Sequence, residues 1–197
     1  MGNAWIVGLG LKGACRQSVP RRIIDLGTGD GHLLERGLRH LPPVARGIEV
    51  LLVDQQDAVD SRALAGMESL GFRPRKVQAD AIEGLRSLPV EPGTWVVANL
   101  FFHHFAAAYL ETLLAIIAER ADLCLACEPR RNRWSRVAAR FLWMLGANDI
   151  TRHDAVVSVD AGFRDRELTD IWPSGVGWSL TERPAGLFSH LFLAQRS

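Results

Sequence analysis

Cysteine is scarce in this chain of 197 residues: three, at Cys15, Cys124 and Cys127. An odd, sparse set, with no basic segment leading into an apolar core at the N-terminus, predicts reduced thiols in a cytoplasmic protein. Cys124 and Cys127 form a C-x-x-C, but they sit in "DLCLACEP", which reads as a buried strand. An offset of three along a strand points the two side chains to opposite faces, so the pair reads as core packing rather than a redox or metal centre. Charge of one sign is also missing: 23 Lys and Arg against 22 Asp and Glu leave a net +1. That excludes a global electrostatic footprint for nucleic acid. Apolar runs are broken by charge or glycine well before the ~18 residues of a membrane span. "MGNAWI" has Ile6 where a myristoylation signal needs Ser or Thr. No His, Cys and Asp spacing reads as a metal site, no G-x-S-x-G nucleophile elbow occurs, and no repeat, linker or low-complexity segment divides the chain. One domain over residues 1–197 is expected, with 48% hydrophobic and 23% charged residues to build its core and surface.

Short β-type runs alternate with helical stretches. Strands are predicted at Arg22–Leu26, Ile48–Val53, Arg75–Ala79, Trp95–Ala98 and Leu123–Cys127. Helices are predicted at Gly31–Leu41, Ala58–Leu70, Ala81–Leu88, Ala106–Arg120, Arg133–Leu145 and Arg166–Trp172. Two further strands, Trp178–Arg183 and Leu187–Ala194, are joined by "PAG", which reads as a tight turn. Five β-α repeats and a closing hairpin predict an α/β fold: a Rossmann-like seven-stranded sheet, mostly parallel, with a C-terminal antiparallel hairpin.

Two glycine loops compete for a cofactor. "WIVGLGLKGA" carries Gly8, Gly10 and Gly13 in the G-x-G-x-x-G spacing of a dinucleotide turn. Only "ACRQSV" separates it from Pro20, whereas a βαβ crossover needs a dozen or more residues. Residues 1–20 are therefore expected to form an irregular N-terminal cap. "IIDLGTGDGH" has what the first loop lacks: a buried strand, Gly27, Gly29 and Gly31 for a sharp turn, and a helix with free N–H groups at its start. Ligands of open α/β sheets bind beyond the carboxyl ends of the strands. Asp25, Asp54, Asp80 and Asn99 stand at or near four consecutive ends, and Asp54 could accept both hydroxyls of a ribose.

"DLGTGDG" resembles the first motif of the class I S-adenosylmethionine-dependent methyltransferases of small-molecule type, commonly D/E-x-G-x-G-x-G; Asp25, Gly27, Gly29 and Gly31 match it. Asp54 matches the family's ribose-binding acid. "ADAIE" resembles the adenine-contacting segment, which assigns Asp80 and the backbone of Ala81. "ANLFFHHF" resembles the fourth motif, in which a polar residue ends strand four and a histidine pair often follows, and "CEPRRNRW" resembles the turn after strand five. The resemblance spans residues 21–197 and implies S-adenosyl-L-methionine as cofactor. Its implied contacts are Asp25, Gly27, Thr28, Gly29, Gly31, Asp54, Gln55, Asp80, Ala81, Asn99 and Leu100. Charge agrees. A nicotinamide dinucleotide would bring a pyrophosphate to a loop that carries Asp25 and Asp30, whereas a sulfonium and an ammonium group tolerate nearby carboxylates.

The methyl donor is already activated, so the chain has to align an acceptor lone pair and exclude water. A base is needed only where the acceptor must lose a proton, as a phenol does. His103 and His104, at the mouth of the site, and His153, followed by Asp154, are the candidates. Residues 129–175 exceed one crossover helix and hold Trp134, Phe141, Trp143, Phe163 and Trp172. They are expected to cover the acceptor, with the 150–162 loop as a lid. Arg130, Arg131, Arg133 and Arg136 could hold a carboxylate or a carrier protein's phosphate, although a solvated helix start explains them as well. The expected function is methyl transfer to a small, possibly carrier-bound organic acceptor, through the oxygen of a phenol or acid. Nitrogen methylation and a non-catalytic cofactor-binding partner subunit are the alternatives; oligomeric state is open.

Overall fold

A computed structural model describes residues 2–131, 162–173, 175 and 177–197. The expected helix Arg133–Leu145, residues 150–161 of the expected 150–162 loop, Trp134, Phe141, Trp143, His153 and Asp154 lie outside these residues. Seven strands form one sheet: β1 (Arg22–Leu26), β2 (Glu49–Asp54), β3 (Arg73–Gln78), β4 (Thr94–Asn99), β5 (Leu123–Pro129), β6 (Trp178–Ala185) and β7 (Ser189–Arg196). Their order is β3-β2-β1-β4-β5-β7-β6. The first five are parallel, and β7 runs antiparallel between β5 and β6. This is the mostly parallel sheet with a reversed closing hairpin that the β-α alternation predicts.

Burial explains the strand sequences. Every residue of β1, the central strand, is buried, because helices cover both faces. β3 and β6 are the edges: β3 has no buried residue and β6 alternates half-buried with exposed positions over most of its length, with Pro74 and Pro184 sitting where a missing N–H disrupts little. Pro184 pairs with His190 and Ala185 with Ser189, so the hairpin turns at 186–188 and not at the expected "PAG". Gly186, at φ +83°, supplies the left-handed residue. Cys124 and Cys127 belong to cores on opposite faces, as the strand offset requires.

The described helices are α1 (Asn3–Ala14), α2 (His32–Leu38), α3 (Ser61–Ser69), α4 (Ala81–Ser87), α5 (Ala107–Arg120) and α6 (Glu167–Ile171). One face of the sheet packs on residues of α4, α5 and α6, the other on residues of α1, α2 and α3. Asp60 caps α3 by accepting the Arg62 amide at 2.8 Å. Among the described residues, no helix is long and apolar enough to cross a membrane.

The N-terminal stretch corrects one expectation. Residues 3–14 are a regular helix rather than an irregular cap. Val7, Leu11 and Ala14 recur at helical spacing and are buried. Two of the glycines are contact points. A Cβ on Gly8 would lie 2.7 Å from the Gly37 carbonyl oxygen and 2.5 Å from the His40 ring; one on Gly10 would lie 2.3 Å from Leu125. The G-x-G-x-x-G spacing here lets a helix approach α2 and the sheet closely.

Candidate active site

Neighbouring strands place their polar tips side by side. In the order β3-β2-β1-β4, Asp80 lies just beyond β3, Asp54 ends β2, Asp25 stands in β1 and Asn99 ends β4. Between them runs the second glycine loop, with φ of +66° at Gly27, +56° at Gly29 and +79° at Gly31, values that favour glycine. The amide N–H of Gly27 donates to the Val53 carbonyl at 2.9 Å, which fixes the loop on β2. Gly27, Asp54, Gln55, Asp80, Ala81, Phe101 and Phe105 line a cleft of about 160 Å³ beyond these tips.

Each assigned residue has a definite environment. Asp25 is buried and accepts the Thr28 hydroxyl at 2.7 Å. Burial pushes its carboxyl up to about 7, the Thr28 hydrogen bond works against that, and the Asp54 charge adds to it. Asp54 accepts the Gly29 amide at 2.9 Å and the Gln56 amide at 2.9 Å, one on each oxygen. Each oxygen keeps a second lone-pair direction for a ligand hydroxyl. Asp80 caps α4 by accepting the Ile82 and Glu83 amides, and accepts the Tyr109 hydroxyl at 2.8 Å and the Gln55 amide at 3.1 Å. Partial desolvation acts to raise the Asp80 carboxyl, but these donors hold it below its ordinary range. Partial burial and the Asp80 carboxylate push Tyr109 up to about 12, so its hydroxyl stays a donor. The side-chain oxygen of Asn99 is buried without a partner. Leu100 adopts φ +51°, a strained value for a branched side chain, while its N–H donates to the Cys127 carbonyl at 2.9 Å.

The histidine pair divides. His103 is buried, and its Nδ1 lies 2.8 Å from Oε2 of Glu128. His104 is exposed, its ring centroid 4.0 Å from that of His103. Partial desolvation and the adjacent imidazole hold His104 below its ordinary range, so the ring is neutral at neutral pH. His153 lies outside the described residues. Of the basic cluster, Arg131 pairs with Glu167, while Arg133 and Arg136 lie outside the described residues.

Three contributors escaped the sequence reading. Glu128, fully buried at the end of β5, accepts the amides of Phe101 and Phe102 at 3.0 and 2.9 Å, and that of His103 at 3.4 Å. It thereby ties the loop after β4 to the tip of β5. The rule that singled out the acids at the other tips applies to Glu128 too, within the quoted "CEPRRNRW". Phe101 lies over Gly27, where a Cβ would come within 2.1 Å of its ring. Phe105 stacks on Tyr109 with centroids 4.5 Å apart. Phe101 and Phe105 line the cleft together with Asp54 and Asp80.

No family model and no curated protein matches the chain. Solved structures do. An O-methyltransferase family protein from Burkholderia thailandensis is 18% identical with a TM-score of 0.61, the match covering 98% of this chain and 55% of that one. The magnesium protoporphyrin IX methyltransferase of Synechocystis, with bound S-adenosylhomocysteine, is 14% identical with a TM-score of 0.61, covering 98% of this chain and 83% of that one. A small RNA methyltransferase is 15% identical with a TM-score of 0.66, covering 97% of this chain and 25% of that one. The chain spans about half the length of the O-methyltransferases it matches. Sheet order, reversed hairpin and these likenesses together give the chain the fold of the class I S-adenosylmethionine-dependent methyltransferases.

Proposed function

We propose that this chain is an S-adenosylmethionine-dependent methyltransferase that acts on the oxygen of a small organic phenol or acid. The observation that carries the reading is the row of Asp80, Asp54, Asp25 and Asn99 on four adjacent strand tips around a positive-φ glycine loop. Its chemistry fits the donor. Carboxylates suit a ligand with a sulfonium and an ammonium group, and the unpartnered Asn99 oxygen suits an N–H donor. Nothing lies within 4 Å of the place a Gly29 Cβ would occupy, so the loop leaves open room there. A fit to a dinucleotide is poor, because the same carboxylates would face a pyrophosphate.

The donor supplies an alkylating methyl group on positive sulfur. The chain's own residues bind, orient and take up a proton. Asp54 and the adjoining loop amides hold the ribose side, and Phe101 and Phe105 form an apolar wall that excludes water. Glu128 holds the turn at 102–104 and orients His103; with Nδ1–H donated to Glu128, the basic nitrogen of that ring is Nε2. The neutral His104 imidazole accepts the proton of a phenol as the methyl group transfers.

The experiment is a panel of small phenols, acids and amines with labelled donor, read by mass spectrometry. Methylation of a phenol or acid oxygen, with kcat lowered ~10²-fold or more in His104→Gln, supports the proposal. Methylation of amines alone would replace oxygen by nitrogen. Donor binding with no turnover on any acceptor would favour a non-catalytic partner subunit, and no heat with the donor would end the case.

A further inference from the structure

An apolar and basic surface lies on the far side of the sheet from His103, and methyl transfer does not use it. On α1, Trp5 is 50% and Leu9 40% exposed; at the β6–β7 turn, Leu187 is 70% and Phe188 53% exposed. The two elements meet. The Ser189 hydroxyl donates to the Asn3 side-chain oxygen at 2.8 Å, and a groove of about 570 Å³ runs between Trp5, Ile6 and Leu9 on one side and Leu187 and Phe188 on the other. Trp5, Leu9 and Lys12 share one stripe of α1, and Arg16 continues it just past the helix end. Arg183 lines the groove from β6. Opposing charge is absent from residues 1–24 and 183–197, and Glu182 of β6 is buried against His190. Asp30 is the nearby acid, in a separate recess beside Trp5 that it shares with Arg36, His32 and His40.

We infer that this face docks on an anionic lipid bilayer. Exposed Trp, Leu and Phe beside Lys and Arg is the composition of interfacial, non-spanning membrane attachment, with rings in the head-group layer and cations on lipid phosphates. Charge decides against a second copy as occupant: a two-fold interface would set the patch that holds Lys12, Arg16 and Arg183 against an identical patch with no acid to meet those cations. Anionic head groups supply the complementary sign. The turn at 186–188 adjoins Ser189, which pairs with Pro129 at the carboxyl end of β5, the end that carries the candidate cleft. From there the surface runs along α1 to Lys12 and Arg16, toward the amino ends of the strands, so docking lays this face of the sheet on the lipid. The docking does not rest on the methyl-transfer reading.

The test is cosedimentation of the full chain with vesicles of phosphatidylcholine alone and of phosphatidylcholine with phosphatidylglycerol. Binding to the mixed vesicles only, weakened by salt, is expected. Reversing three cations (Lys12→Glu, Arg16→Glu, Arg183→Glu) should lower it at least about tenfold. Trp5→Ser with Phe188→Ser should lower it as well, and Arg183→Gln alone provides a milder variant. Circular dichroism and calorimetric binding of S-adenosylmethionine report whether each variant is folded. Wild-type chain left in the supernatant with both vesicles overturns the inference. Equal binding to both kinds, or unchanged binding by the charge-reversed chain, overturns it too. A dimer disrupted by Trp5→Ser, with no vesicle binding, would assign the surface to a second copy. Loss of donor binding with vesicle binding intact would count against the methyltransferase reading and leave the docking in place.

Discussion

Asp25 and Glu128 are both buried carboxyls, yet they are held in opposite ways. Asp25 has one hydrogen-bond donor, Thr28, and burial pushes it up to about 7. The unfolded chain has an ordinary aspartate near ~3.9. Between those two values the folded chain keeps a proton that the unfolded chain has lost, so stability falls as pH rises through this window, and the loss is complete above about 7. In denaturant unfolding the wild type should therefore lose more stability between about pH 5 and about pH 8 than Asp25→Asn does. A bound cation favours the ionised form, so donor binding near neutral pH should release protons. Titration calorimetry in buffers of different ionisation heat measures that release. Glu128 instead accepts three backbone amides and the His103 ring. Glu128→Ala leaves those buried donors unpaired and should cost about 2–4 kcal/mol in denaturant unfolding. In the milder Glu128→Gln, kcat should fall more than KM rises, since the group positions the turn rather than binding substrate. At Gly27, φ is +66° and the Phe101 ring fills the Cβ position. Gly27→Ala should weaken donor binding at least tenfold by calorimetry, through displacement of that ring, a change of about 1.4 kcal/mol.

The α1 helix shows how one spacing serves different ends. Gly8 and Gly13 belong to the same G-x-G-x-x-G run, but Gly8 faces the Gly37 backbone and Gly13 has nothing within 4 Å of its Cβ position. Gly8→Ala should destabilise the chain by about 1–3 kcal/mol, because backbone cannot yield as a side-chain end does. Gly13→Ala should be neutral or stabilising by up to about 1 kcal/mol, from helix propensity. Thermal unfolding of the pair decides it; equal effects would contradict the packing role. The sequence predicts an irregular cap here because the short span to Pro20 leaves no room for a crossover, and glycine disfavours an isolated helix by about 1 kcal/mol per residue relative to alanine. Docking of Val7, Leu11 and Ala14 into the core outweighs that. In α4 the sequence signal and the structure agree, because Asp80 is a local cap that needs no distant partner.

For the whole molecule, the sheet order is what makes a site. Asp80, Asp54, Asp25 and Asn99 are spread over 75 positions of sequence, yet their strands are immediate neighbours in β3-β2-β1-β4. A ligand that bridges these tips links strands distant in sequence and stabilises the folded chain by mass action. With S-adenosylmethionine at one hundred times its Kd, stability should rise by about 2.7 kcal/mol and Tm by about 5–10 °C for a chain of this size. Differential scanning calorimetry measures this, and an unchanged Tm would contradict a donor site at these tips.

Alternating β and α patterns, the glycine loop and the acids at strand ends are local features, and the sequence by itself determined them: each needs only a few neighbouring residues to be recognised. Only the tertiary structure decided that residues 3–14 are a helix, that Glu128 orders the turn at 102–104, that His103 is buried while His104 is exposed, and that α1 and the last hairpin share an exposed apolar face. These depend on contacts between residues far apart in the chain. Nothing in a local stretch records which distant carboxylate or ring will fill the space beside it, because close packing of the whole chain makes that choice.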